Sequence, residues 1–124
     1  MKKEFVTYEL LAELKELGLN VTQTTTISQV FRWFEENYSY FVDIKTDTTP
    51  NEILGFDYTI KSWKFPPMYF DFFNDKREGN IAVIKKMIEM VKKEKQKEAL
   101  IELMNMDNDN LNNLNNDTET TRRD

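Results

Sequence analysis

The sequence predicts an α+β fold: an antiparallel sheet of about three strands, with three helices packed mainly on one face and a disordered C-terminal tail. Three observations carry this reading. The stretch Thr26 to Lys45 passes from apolar residues at spacings of three and four to apolar residues at alternate positions, the change from helix to strand. Two more alternating runs follow at short intervals, which favours antiparallel hairpins because a parallel pair needs a crossover of about a dozen residues. A last helical stripe then closes the body before an Asn- and Asp-rich end.

Thr7 reads as the N-cap of a first helix over 7–17. Val6 and Leu11 are placed as a hydrophobic staple, and Glu9 lies where the helix dipole favours it. Leu10, Leu11, Leu14 and Leu17 form its buried stripe, and Gly18 ends it. Residues 19–25 read either as an extended connector or as a short edge strand. Thr26-Ile27-Ser28-Gln29 fits a capping box and starts a helix over 26–37. Ile27, Val30, Phe31, Phe34 and Tyr38 share its apolar face, Arg32, Glu35 and Glu36 point away, and Trp33 sits at the edge.

A strand over 38–46 follows, with Tyr40, Val42 and Ile44 on one side and Phe41, Asp43 and Lys45 on the other. After a turn at Thr46–Asn51, a second strand over 54–63 buries Leu54, Phe56, Tyr58 and Ile60 against Gly55, Asp57, Thr59 and Lys61, and Trp63 closes it on the opposite face. Pro66 and Pro67 read as a break, since neither can donate to a ladder. A third strand over 68–73 alternates Met68, Phe70 and Phe72 against Tyr69, Asp71 and Phe73.

The closing helix, 79–97, carries Ile81, Ile84, Met87, Ile88 and Val91. Ala99, Leu100, Ile101, Leu103 and Met104 do not continue its phase, so the helix bends or its last turns serve another surface. The expected core is Leu10, Leu14, Leu17, Ile27, Val30, Phe31, Phe34, Tyr40, Val42, Ile44, Phe56, Tyr58, Ile60, Phe70, Ile84, Ile88 and Val91. Residues 1–104 are expected to form one small domain, and residues 105–124 a disordered tail.

Composition narrows the function. With no Cys and no His, the chain lacks thiolate chemistry, the commonest general base and the commonest transition-metal ligand. The net charge of −5 is concentrated at the end: residues 1–104 carry 17 acidic and 15 basic side chains, residues 105–124 five and two. So neutral a body exerts little general attraction on nucleic acid. No apolar run approaches the roughly 18 residues of a membrane span, and the charged start is unlike a signal-peptide core, so a cytoplasmic protein without membrane contact is expected.

Phe5-Val6-Thr7-Tyr8-Glu9, Leu14-Lys15-Glu16-Leu17-Gly18, Thr26-Ile27-Ser28-Gln29-Val30-Phe31-Arg32-Trp33-Phe34 and the helix from Ile84 to Lys92, in this order, resemble an uncharacterised family of small bacteriophage- and prophage-encoded proteins of Bacteroidetes-type phages. The resemblance covers about residues 4–93. The connector 19–25 is shorter than in typical relatives, and the Asn-rich tail is an extension. A phage-associated origin, and hence the cytoplasm of a bacterial host, is what the resemblance implies; it carries over no site residues.

Asp43, Asp57 and Asp71 fall opposite the main apolar set of their strands. They could hold Mg²⁺ or work as acid and base, but solvated sheet-face residues paired with Lys45 and Lys61 are the stronger reading. Lys85, Lys86, Lys92, Lys93, Lys95 and Lys97, with Trp63, Phe65 and Tyr69, could contact nucleic acid, against a solvated helix face laced by Glu89, Glu94 and Glu98. Glycine loops, nucleophile elbows and metal-ligand spacings are missing from the sequence, so no catalytic, cofactor-binding or metal residue is assigned and no cofactor is expected.

The candidate interaction surface is Arg32, Trp33, Glu36, Trp63, Tyr69 and Phe73. The expectation is a non-enzymatic phage or prophage accessory protein that binds a host or phage macromolecule, with anti-defence as one role and a protein as the first partner class. The alternatives are a weak nucleic-acid binder using the Lys-rich helix, and a small-molecule-sequestering domain with a pocket between the second helix and the sheet.

Overall fold

The structure, a computed structural model, describes residues 4–105. In chain order the elements are α1 (Tyr8–Glu16), α2 (Ile27–Tyr38), β1 (Phe41–Thr48), β2 (Ile53–Ser62), β3 (Phe65–Tyr69) and α3 (Lys76–Arg123). This is the expected α+β architecture, with three helices and a three-stranded antiparallel sheet in the order β1-β2-β3. The chain divides into two compact units, residues 1–91 and 92–124. The expected disordered tail, Asn105 apart, lies outside the described residues.

Local chemistry sets the helix ends of the first unit. Leu10 N donates to Thr7 Oγ1 at 3.4 Å, and after the C-cap Leu17 the chain turns away through Gly18 at φ +105°, a left-handed conformation that costs glycine nothing. The capping box of α2 is complete: Gln29 N donates to Thr26 Oγ1 (3.2 Å) and Thr26 N to Gln29 Oε1 (2.8 Å). Ser39, at φ 58°, ends α2 in the same left-handed region and redirects the chain into β1. The connector 19–25 is not a strand. Thr22 N donates to Thr25 Oγ1 (2.9 Å) and closes a local turn, and only Thr26 pairs, with Phe5, in an isolated bridge.

In the sheet, Val42 faces Ile60, Ile44 faces Tyr58 and Thr46 faces Phe56 on the inner side, while Asp43–Thr59 and Lys45–Asp57 lie on the outer side. The third strand departs from expectation twice, and each departure is a bulge. β3 begins at Phe65 and contains both prolines, because Ser62 pairs with Phe65 and Ile60 with Met68. Pro66 and Pro67 therefore oppose the single Lys61 in an irregular step of an edge strand, where a missing N–H is tolerated.

Beyond β3, Phe70 N donates to Tyr58 O (3.0 Å), and Phe56 and Phe73 exchange a pair of backbone bonds (2.8 and 3.0 Å). Phe70 to Phe73 thus spans one residue more than the partner segment, and the alternation reverses. Phe73 lies on the core side, edge-on to Tyr58 at 5.7 Å, and Phe72 lies outside over Gly55, the opposite of the expected faces.

α3 starts at Lys76, three residues earlier than expected, because Asp75 caps it by accepting from Arg77 N at 2.9 Å. The core joins Leu10, Leu11 and Leu14 of α1, Ile27, Val30 and Phe34 of α2, Tyr40, Tyr58 and Ile60, and Val83, Ile84, Met87, Ile88 and Val91 of α3. Phe31, Val42, Ile44, Phe56 and Phe70, expected in the core, are only half-buried. Those of β1 and of the segment after β3 stand in the outermost chains of the sheet, so they have sheet neighbours on one side only. Val6 and Val83 are buried although the sequence reading omitted them from the core.

In the second unit, Leu100, Ile101, Leu103 and Met104 are exposed, and the unit boundary after Val91 falls where the apolar stripe loses phase.

A polar thread crosses this core. Glu4 Oε2 accepts from Asn80 Nδ2 (2.9 Å), and the Tyr58 hydroxyl lies against Asn80 Oδ1 (2.8 Å) and the Lys76 carbonyl (2.9 Å). One hydroxyl proton serves two acceptors. Burial first, then the negative charges of Glu4 and Asp75, push the Tyr58 phenol up to about 12. A raised pKa means the folded state holds the proton longer, so the associated stability is present in full below pH 10 and is lost as pH rises towards 12.

Tyr58→Phe is expected to cost about 1–3 kcal/mol at neutral pH by leaving Asn80 Oδ1 and the Lys76 carbonyl short of a donor. The gap from wild type should narrow across that alkaline window, as measured by urea denaturation at a series of pH values.

Candidate interaction surface

The outer face of the sheet carries an ordered mixture of charge and aromatic area. Asp43 and Lys45 project from β1, Asp57 and Lys61 from β2, and the register sets them in adjacent rows. Lys61 Nζ donates to Asp43 Oδ2 at 3.2 Å, an exposed pair of small energetic weight. Asp57 stands directly across from Lys45, with Asp47 diagonal to it. A hydrogen bond with Asp47, some burial and the charge of Asp47 together raise the Asp57 carboxyl above the usual range, while Lys45 opposes the shift.

Between these charges stand three large aromatics. Phe41 is 48% exposed, Tyr69, opposite Thr59, is 80% exposed, and Phe72 over Gly55 is 46% exposed. Alternation placed Phe41 and Tyr69 on this face. Phe72 was hidden by the bulge before it, and no local signal in the sequence marks that bulge.

The six candidate residues separate into four places. Tyr69 belongs to the outer face, and Phe73 is half-buried on the core side beside Tyr58. Trp33 and Trp63 are linked at one end of the sheet by an aromatic cluster. Trp33 packs edge-on to Phe34 (5.0 Å) and Tyr38 (5.4 Å), Phe34 stacks on Tyr40 (6.3 Å), and Phe65 closes on Tyr40 (5.7 Å). Lys64 Nζ lies 5.9, 5.6 and 5.8 Å from the rings of Tyr38, Tyr40 and Trp63. Trp63, in the turn between β2 and β3, is otherwise exposed. Arg32 and Glu36 are exposed on α2.

Among the described residues, no three acidic side chains come close enough to hold a metal ion, so Asp43, Asp57 and Asp71 do not converge. Val30, Phe34 and Tyr40 are buried where α2 meets the sheet, which is the place suggested for a small-molecule pocket. A cleft of about 370 Å³ opens elsewhere, at the N-terminal end of α1, lined by Phe5, Val6, Thr7, Tyr8, Leu11, Gln23 and Arg77. Of the lysine run, Lys86 pairs with Glu89 at 3.7 Å. No helix among the described residues is long and apolar enough to cross a membrane.

No protein-family model, curated protein or solved structure matches this chain. The functional reading therefore rests on the chain's own geometry.

Proposed function

We propose that this chain is a non-enzymatic accessory protein, of phage or prophage kind, that works by binding another protein through the uncovered face of its sheet. The observation that supports this is the exposure of Phe41, Tyr69 and Phe72 among the charges of Asp43, Lys45, Asp57 and Lys61. Aromatic side chains lose little conformational entropy on docking and bury much area, and interfaces are enriched in them at the centre with a polar rim. The same residues inside a fold would be core; left outside, they form a patch that a partner can cover. A host macromolecule, such as a component of a defence system, is the partner class that a phage origin favours.

The test is affinity purification of the tagged full chain from a bacterial host lysate, run beside a variant carrying Phe41→Ala and Tyr69→Ala. Wild type should recover one partner reproducibly, and the variant should bind it at least about 30-fold more weakly, the usual effect of losing hot-spot aromatics. Both chains should keep the same thermal midpoint, since exposed substitutions change stability little. Equal recovery by both, or no partner together with turnover in an activity screen, overturns the reading.

A further inference from the structure

We propose that the free edge of β1 pairs with β1 of a second copy, joining two three-stranded sheets into one of six strands. The inference stands apart from the partner reading above, because it rests on the strand edge and not on the aromatic face. The two edges of this sheet differ. β3 carries Pro66 and Pro67, whose missing N–H groups spoil a ladder, whereas the eight residues of β1, Phe41 to Thr48, contain no proline and pair on one side only. An edge of that length offers a row of unpaired N–H and C=O groups to another strand.

The identity of the strand it fits follows from charge. A two-fold axis perpendicular to the sheet pairs β1 with itself antiparallel, keeping the inner face of each copy on the same side. With Ile44 on the axis, Val42 meets Thr46 on the inner face, and Asp43 meets Lys45 of the second copy on the outer face, twice by symmetry.

The outer row through Asp43 then reads Thr59, Asp43, Lys45 of the second copy and Asp57 of the second copy, and Lys61, diagonal to Asp43 and bonded to it at 3.2 Å, continues the alternation of sign. Shifting the axis to Lys45 would oppose lysine to lysine and Asp43 to Asp47. Shifting it to Thr46 would shorten the ladder and bring in the register irregularity between Asp47 and Thr48. The lysine that would ordinarily guard an edge strand here has a carboxylate waiting for it. On the inner face, the half-buried Val42 and Ile44 would gain the neighbours that an edge position denies them.

Sedimentation of the full chain over a concentration series provides the test, with Asp43→Lys and Lys45→Asp variants measured alone and mixed. Wild type should pass from monomer to dimer. Each variant alone sets like charges opposite each other at two places and should associate about tenfold or more weakly. An equimolar mixture should recover dimer, because one chain then offers positive charge at both positions, 43 and 45, and the other negative charge at both. Unchanged circular dichroism establishes that the variants fold. A wild type that stays monomeric at its highest soluble concentration overturns the pairing and leaves the edge to a strand from another protein. A dimer that both variants keep, or that mixing fails to restore, overturns the register.

Discussion

Phe34→Ala is expected to destabilise the fold by about 3–5 kcal/mol, the largest effect of any single truncation in α2. The ring is fully buried, is met edge-on by Trp33 at 5.0 Å and lies parallel to Tyr40 at 6.3 Å. Its loss removes transfer energy and leaves a cavity walled by side chains that are themselves tied to α2 and β1, so the site has little room to collapse. Phe31→Ala, three residues earlier on the same helix, should cost distinctly less, because Phe31 is only half-buried at the margin of the core. Arg32→Ala should be nearly silent. Urea denaturation of the three variants decides the order, and a Phe31 variant as damaged as the Phe34 variant would show that α2 is rotated about its axis relative to the arrangement described.

That comparison also shows how far the sequence could be read. The stripe at 27, 30, 31, 34 and 38 and the capping box at Thr26 located α2 nearly to the residue, since both are local signals. They could not rank Phe31 against Phe34, because burial within a stripe depends on what the helix meets. The alternation of β1 and β2 was equally legible, and it placed Asp43 and Lys45 on the outer face. The third strand was not. Prolines are breakers by default, and only the position of β3 at the sheet edge, with a bulge opposite Lys61, lets Pro66 and Pro67 stand inside it.

The exchange of Phe72 and Phe73 between faces is set by which residues of β2 they meet, sixteen or more positions away in sequence, as the Phe56–Phe73 bridge shows. The candidate surface inherits these limits. Tyr69 stands on the face where alternation places it, Trp63 lies in the turn after β2 and not in the strand, Phe73 is displaced by the bulge, and Trp33 packs against Phe34 and Tyr38. Asp43 and Asp57 share the outer face, but Asp71 stands beyond the end of β3, a separation that spacing along the chain does not reveal.

Gly79→Ala is expected to destabilise the protein, by about 1–3 kcal/mol or more, although the same change on an exposed helix would stabilise it by about 1 kcal/mol. The sign reverses because Gly79 stands in the first turn of α3 directly against the ring of Tyr58. An added Cβ would lie 2.7 Å from Tyr58 Cζ and 2.9 Å from its hydroxyl oxygen, with Cε1 nearer still. Tyr58 has no room to yield: it is 1% exposed, edge-on to Phe73, and held at its hydroxyl by Asn80 and the Lys76 carbonyl. Relief requires α3 to move off the sheet or the Tyr58 hydrogen bonds to break, and either loosens the core around Val83 and Met87. A double-mutant cycle isolates the cause. In a Tyr58→Leu background, Gly79→Ala should be neutral or stabilising, since the ring it strikes is gone and the propensity gain remains. A destabilisation of equal size in both backgrounds would mean that the glycine is required for the helix start itself, and that the close approach of α3 to β2 at Tyr58 is not what selects it.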